Sequence, residues 1–245
     1  MKRSLLAALL CACLAPAAHA QDSLGFSGFD LGLRHARGDT DISSVDLRGT
    51  VHITAVHGLQ LDLGASDIGA YWRGGIAAHL FMAPSAKAKY GLFAAINDTN
   101  GFADTEYSLG AELIASCGPG CEIEARAGIG TLKPGSNDYI FGRLAGRYAL
   151  GPQLRAKLAL DVIDIEEMAY SARETRLSAG FDYALSDRLS LDLGVEHARY
   201  SGTSPGDDTR LTLGLTTRFG AQGQPFSPVR PIEGLLAHGA IPLAH

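Results

Sequence analysis

Arg188-Leu189-Ser190-Leu191-Asp192-Leu193-Gly194-Val195-Glu196-His197-Ala198-Arg199 is the stretch on which the fold turns. Leu189, Leu191, Leu193 and Val195 share one parity, and Ser190, Asp192, Gly194 and Glu196 the other. A period of two sends successive side chains to opposite faces of an extended chain, so the stretch predicts a strand with one apolar and one polar face. Arg210 to Phe219 repeats the pattern, with Leu211, Leu213, Leu215, Thr217 and Phe219 set against Arg210, Thr212, Gly214, Thr216 and Arg218. Working outward, the same rhythm recurs between clusters of Gly, Pro, Asp, Asn and Ser. It predicts strands at 26–35, 43–55, 58–68, 70–83, 87–97, 103–115, 121–132, 138–149, 153–165, 171–185, 188–200 and 208–219.

The chain begins with an export signal. Lys2 and Arg3 precede the apolar run Ser4 to Leu14, and Ala18-His19-Ala20 supplies a small-x-small cleavage site, so 1–20 is expected to be removed. Without Lys2 and Arg3 the chain carries 19 Lys and Arg against 26 Asp and Glu, a net of −7. That balance opposes a nucleic-acid partner, since phosphate neutralisation needs excess basic charge. No later segment offers the roughly 20 continuous apolar residues of a membrane helix. Lipid cannot satisfy an open strand edge, so a membrane location requires closure of the sheet. The expectation is an all-β, transmembrane, antiparallel up-and-down barrel of about 12 strands over 21–219, with 10 or 14 as alternatives. It places the chain in the bacterial outer membrane with both termini in the periplasm. The ordinary 46% hydrophobic content agrees, because half of each strand would face a polar lumen.

The links give a second reading. A short set at Val56-His57-Gly58, Pro84-Ser85-Ala86, Cys117 to Cys121, Gly151-Pro152 and Ser186-Asp187 alternates with a set expected to be longer. The latter comprises Ala36 to Ile42, Asn97 to Ala103, Lys133 to Asn137, Glu166 to Ser171 and Ser201 to Asp208, with a weak point near Asp67-Ile68-Gly69. Such alternation matches periplasmic turns and external loops. Aromatic residues are expected in two outward belts, Tyr90, Tyr148, Tyr183 and Phe219 at one end and Trp72, Tyr107, Tyr139, Tyr170 and Tyr200 at the other. Cys117 and Cys121 flank Gly118-Pro119-Gly120 and are expected to form a disulfide in an oxidising compartment. Residues 220–245 hold Pro225, Pro228, Pro231 and Pro242, too many for paired strands, so a loosely docked periplasmic tail is expected, a lumen plug being the lesser alternative.

On the signal, the paired strands, the aromatic ends and the closing strand Thr209 to Phe219, the chain resembles the small bacterial outer-membrane porin-like proteins. The resemblance covers Gln21 to Phe219 and implies a final aromatic residue read by the barrel-assembly machinery. Phe219 matches that residue, although a 26-residue extension follows it.

Alternation also assigns the lumen. Arg126, Arg143, Arg147, Arg155 and Lys157 gather on three consecutive strands, while Asp30, Asp182, Asp192 and Glu196 lie further round the wall. Opposed basic and acidic walls would set a transverse field for small charged or zwitterionic solutes. The leading expectation is therefore a narrow channel for passive diffusion of small polar solutes, monomeric and without a cofactor, among outer-membrane lipid and lipopolysaccharide. One alternative is a non-conducting structural or adhesion barrel with a salt-bridged core. Another is a lipid hydrolase, for which His35, His197 and Ser201 are the candidates, with Ser204 and Asp208 adjoining; catalysis would require a Ser–His pair oriented by a carboxylate. His52 and His79 are expected inward, as members of the lumen network rather than metal ligands. Asp39-Thr40-Asp41 and Asp207-Asp208 are read as solvated loop charge.

Overall fold

The computed structural model describes residues 25–101, 105–134, 137–167, 170–220 and 224–241; the export signal expected over 1–20 lies outside them. The strands are β1 (Phe26–Arg37), β2 (Ile42–His52), β3 (His57–Ile68), β4 (Tyr71–Ser85), β5 (Ala88–Thr99) and β6 (Thr105–Gly118). They continue as β7 (Cys121–Lys133), β8 (Asn137–Ala149), β9 (Leu154–Glu167), β10 (Tyr170–Ala184), β11 (Leu189–Gly202) and β12 (Gly206–Gly220), with one short helix, α1 (Glu233–Ala237). Each strand pairs antiparallel with its sequence neighbours, and β1 pairs with β12 to close a twelve-strand barrel. The closing seam sets Phe29 opposite Phe219, Asp30 opposite Arg218 and Leu33 opposite Leu215. Every strand edge is thereby satisfied, as a lipid environment demands. Among the described residues no helix is long and apolar enough to cross a membrane.

The two parities behave as the rhythm requires. Leu193, Leu211 and Leu213 are half or more exposed on the outer wall, while Asp30, Arg73 and His79 are buried within. Thirty-three large apolar side chains are exposed among the described residues, far beyond what a water-facing surface carries, which fits a wall against acyl chains. Cys117 and Cys121 form the expected disulfide across the β6–β7 turn, with Cα atoms 5.1 Å apart.

Two expectations about the wall fail. The links do not alternate in length: the five at the near end, where β1 begins and β12 finishes, have two to four residues, and the six at the far end two to five. Strand pairing runs on through segments read as loops, including Asn97 to Thr99, Lys133, and Gly206 to Asp208, because those residues keep the alternation and find ladder partners. The far aromatic belt is also only partial. Trp72 and Tyr107 are exposed outside, but Tyr139 and Tyr200 are 3% and 2% exposed and point inward, and Tyr170 packs against the interior cluster.

Glycine makes room for the inward rings. Tyr139 is the ladder partner of Gly130, Phe141 of Gly128, Phe93 of Gly110 and Phe81 of Gly58. A Cβ at Gly130 would overlap the Tyr139 ring, and one at Gly110 would come within 2.7 Å of Phe93. Each aromatic thus lies flat across the neighbouring strand, where only a residue without a side chain leaves space.

The tail departs furthest from expectation. Residues 224–241 do not hang from the near end; they run up the lumen and finish at the far end. The tail is rich in apolar side chains, and Phe226, Val229, Ile232, Leu235, Leu236 and Ile241 are all nearly inaccessible. Leaving six such groups in water would cost more than threading them through the barrel.

Candidate functional site

The inward parity of twelve strands brings many charges into a small volume, where an unpaired one is costly. The ladder itself supplies partners. Arg143 donates to Asp161 at 2.7 Å, Arg126 to Glu112 at 2.9 Å, and Arg218 to Asp30 at 3.3 Å, each pair directly opposed in register. Arg147 reaches Glu122 at 3.2 Å and Glu124 at 3.4 Å; Lys157 bridges Asp182 and Asp192; Arg34 meets Glu196 at 2.6 Å. Separate basic and acidic walls therefore do not form, because almost every expected base is matched by an acid on the next strand. Arg155 stands apart and makes no ion pair among the described residues.

The tail fills the β2–β7 side of this lumen. Gln60 and Phe226 exchange hydrogen bonds: the Phe226 amide donates to Gln60 Oε1 at 2.9 Å, and Gln60 Nε2 donates to the Phe226 carbonyl at 3.2 Å. Lys89 Nζ sits 4.1 Å above both the Phe81 and Phe226 rings. Arg126 donates to the carbonyls of Ser227 at 2.5 Å and Pro228 at 3.0 Å, and the Ser227 hydroxyl donates to Glu124 at 2.7 Å. Further up, Arg230 pairs with Asp46 and with Glu233 at 3.4 Å, and Ser66 donates to Glu233 at 2.6 Å. Burial disfavours the Glu233 charge, but Arg230, Arg73, Arg34 and the Ser66 hydroxyl outweigh it and hold that carboxyl down to about 2.

At the far end α1 and the residues after it meet a ring of inward apolar side chains. Ala36, Ile42, Ile68, Leu132, Ile165, Ala172 and Ala198 surround Ile232, Leu235, Leu236, Ala240 and Ile241 in one buried cluster. Tyr200 stacks on His238 at 3.9 Å, and the Tyr170 hydroxyl donates to the Ala240 carbonyl. This cluster closes the far mouth.

Beside the tail, along β8–β12, β1 and β2, a cavity of about 660 Å³ stays open. Its lining reaches Pro152, Ser186, Arg188 and Thr216 at the near end, and includes none of the residues of the far apolar ring above Ile163. It is a blind chamber, entered from the near end and roofed by the tail. Eleven basic and eight acidic side chains line it, so its walls lean positive. Arg126, Arg143, Arg147, Arg155, Lys157, Asp182, Asp192 and Glu196 all face it; Asp30 lies behind Arg218 and Arg48.

The hydrolase candidates are not brought together. His35 Nδ1 lies 2.9 Å from Ser43 Oγ and His197 Nδ1 lies 2.9 Å from Thr209 Oγ1, both on the exposed outer wall. Ser201 bonds to neither, and Asp208 is buried inside with Arg210 at 2.5 Å. That pairing also removes Asp208 from the solvated loop charge. His79 is in the lumen network, 2.6 Å from Glu112 and 3.3 Å from Asp62, whereas His52 is exposed at the near end with its ring edge-on to Phe81. Phe219 ends β12 on the outer face, stacked 4.6 Å from Phe29. Sequence reading missed the tail's part in the site. The signal was present in Ile232, Leu235 and Leu236, spaced i, i+3, i+4 as one apolar helix face.

No family model matches the chain, and no curated protein matches it. Solved structures do match. A COG4313 outer membrane channel from Pseudomonas putida F1 superposes with a TM-score of 0.63 at 13% identity, covering 84% of this chain and 100% of that one. The NanC porin gives 0.59 at 7% identity, covering 76% and 98%. The KdgM porin, in complex with disordered oligogalacturonate, gives 0.52 at 9% identity, covering 77% and 98%. At such identities the likeness is one of fold: the chain has the architecture of outer-membrane porins and channels.

Proposed function

We propose that the protein is a porin-type channel of the outer membrane, passing small polar or charged solutes with a preference for anions. The observation that carries this reading is the charged chamber of about 660 Å³, left open inside a closed barrel and lined by more basic than acidic groups. A barrel kept only as a scaffold gains nothing from an open, charge-lined space. Filling that space with apolar side chains would remove the cost of burying so many ions. Rings of fixed charge at close quarters are what ion preference in a pore requires. In this reading the near end faces the periplasm, the exposed wall meets lipid and, outside, lipopolysaccharide, and Phe219 closes β12 as the residue offered to the assembly machinery. The KdgM porin, solved with an acidic saccharide, makes small carboxylates the first solutes to try.

The test is uptake by liposomes holding the refolded full chain, over a size and charge series of solutes. Slow uptake over minutes registers even brief openings. Faster entry of small carboxylates than of neutral or cationic solutes of equal size supports the reading. No entry above protein-free liposomes, with the barrel shown to be inserted, would reject it.

A further inference from the structure

We propose that residues 224–241 are a seated plug whose release from the far mouth is the step that opens the lumen; this regulation rests on the channel reading above. Residues 224–241 take no part in the β-ladder. The tail crosses from the near end to the far end between walls that are fitted to it. Wall positions 64 and 206 carry glycine where a Cβ would come within 2.9 Å of the Arg230 guanidinium and 2.7 Å of the His238 ring. In the tail, Gly234 lies so close to the Glu174 carboxylate that a Cβ there would collide with it. Accommodation on both sides marks a defined seat rather than a chain end trapped in a hole.

The seat is also built to let go. Near its root the plug is tied by hydrogen bonds and ion pairs through Phe226, Ser227, Pro228 and Arg230. Above Glu233 the connection to the wall is mainly apolar packing, with the Tyr170–Ala240 bond and the stacked His238. The wall beneath that cap carries polar atoms with no hydrogen-bond partner among the described residues: Nε and Nη1 of Arg210, and the oxygens of Glu174, which stands in a loose ion pair with Arg176 at 3.4 Å. Water admitted by a lifted cap would satisfy them, which offsets part of the cost of exposing the cap's apolar side chains. Among the described residues the cap's apolar cluster fills the far mouth, so opening it falls to the tail. Arg230 and Glu233 line the chamber, and a carboxylate solute there would compete with Asp46 for Arg230.

The experiment pairs a reporter with a wedge in the full chain. Ala237→Cys places a thiol in the buried cap, the native Cys117 and Cys121 being disulfide-bonded. Gly234→Val drives a branched side chain into Glu174 without touching the ladder. Labelling by a membrane-impermeant maleimide is expected to be slow in the reporter chain. Adding Gly234→Val should speed it, and raise open-channel occupancy, by about tenfold or more, the usual effect of overpacking a fitted site. Fast labelling that Gly234→Val leaves unchanged would show an unseated tail and overturn the plug. Faster labelling with the same open-channel occupancy in both proteins would leave the channel standing and overturn the gate. Faster labelling with no current in either would overturn the channel reading, and the gate with it. If Gly234→Val does not assemble, Leu235→Asp lifts the cap by charge and reads the same outcomes.

Discussion

The imidazole of His79 lies almost parallel to the ring of Phe226, with centroids 5.7 Å apart and planes 11° from coplanar. His79 is itself fixed between Asp62 and Glu112, so two acids of the wall aim the ring on which the tail is founded. Phe226 is fully buried there against Phe81 and Lys89 as well. Phe226→Ala should weaken tail docking by about 3–5 kcal/mol, as for other fully buried phenylalanines. Hydrogen exchange reads this directly: the bonded amides of Leu236, His238 and Ala240 should lose protection while strand amides keep theirs.

Arg230 is the tail's ionic tie. Arg230→Ala removes the guanidinium that pairs both Asp46 and Glu233, a loss of about 3–5 kcal/mol for a buried pair broken on one side. Adding Asp46→Asn and Glu233→Gln should restore much of the docking, because the stranded charges, not the missing bond, carry most of the cost. Equal loss in the single and triple variants, read by the same amides, would contradict this.

Glu233 gives docking a pH dependence with a definite sign. Its carboxyl is held at about 2 when docked, below the ordinary glutamate value of about 4.3. A lowered docked pKa stabilises fully above the ordinary value, and that stabilisation disappears as pH falls through the docked one. The tail should stay seated at neutral pH and loosen between about pH 4 and pH 2. Pepsin, active across that range, should cut the buried Leu235–Leu236 bond increasingly towards the lower limit.

Selectivity should not follow the arginine count. Arg143 is matched by Asp161 and Arg147 by Glu122 and Glu124, whereas Arg155 has no ion-pair partner among the described residues. Arg155→Gln should therefore reduce anion preference by removing free charge. Arg143→Gln should reduce it by unmasking Asp161, and the double variant Arg143→Gln, Asp161→Asn should restore it. Reversal potentials across a salt gradient distinguish the two routes.

The Cys117–Cys121 disulfide closes a loop of only five residues, so it constrains the unfolded chain little. Replacing both with Ser should lower barrel stability by about 2 kcal/mol in the chain-entropy relation. Urea unfolding followed by circular dichroism would show the shift, and the heat-dependent gel mobility of a folded barrel should persist.

Closure, strand number and the inward charges were legible because strict alternation encodes them. The same rule, carried one step further, would have placed Tyr139 inside with Phe141 and Arg143, and Tyr200 inside with Glu196 and Ala198, since each shares their parity. Aromatic belts sit at strand ends, but parity decides which face each ring takes. Ion-pair partners were not legible, because they depend on register between strands rather than on either strand alone. The tail was misplaced for a different reason. Its prolines exclude ladder pairing, but they say nothing about threading a lumen, and the apolar content that favours burial was the better guide.

Single-channel recording in planar bilayers, under a salt gradient, bears most directly on the claim of a tail-closed channel. The full chain should give brief, infrequent steps and Gly234→Val long ones, with a common reversal potential on the anion-selective side. No current from either protein, once heat-dependent gel mobility shows both barrels folded and inserted, would contradict the claim.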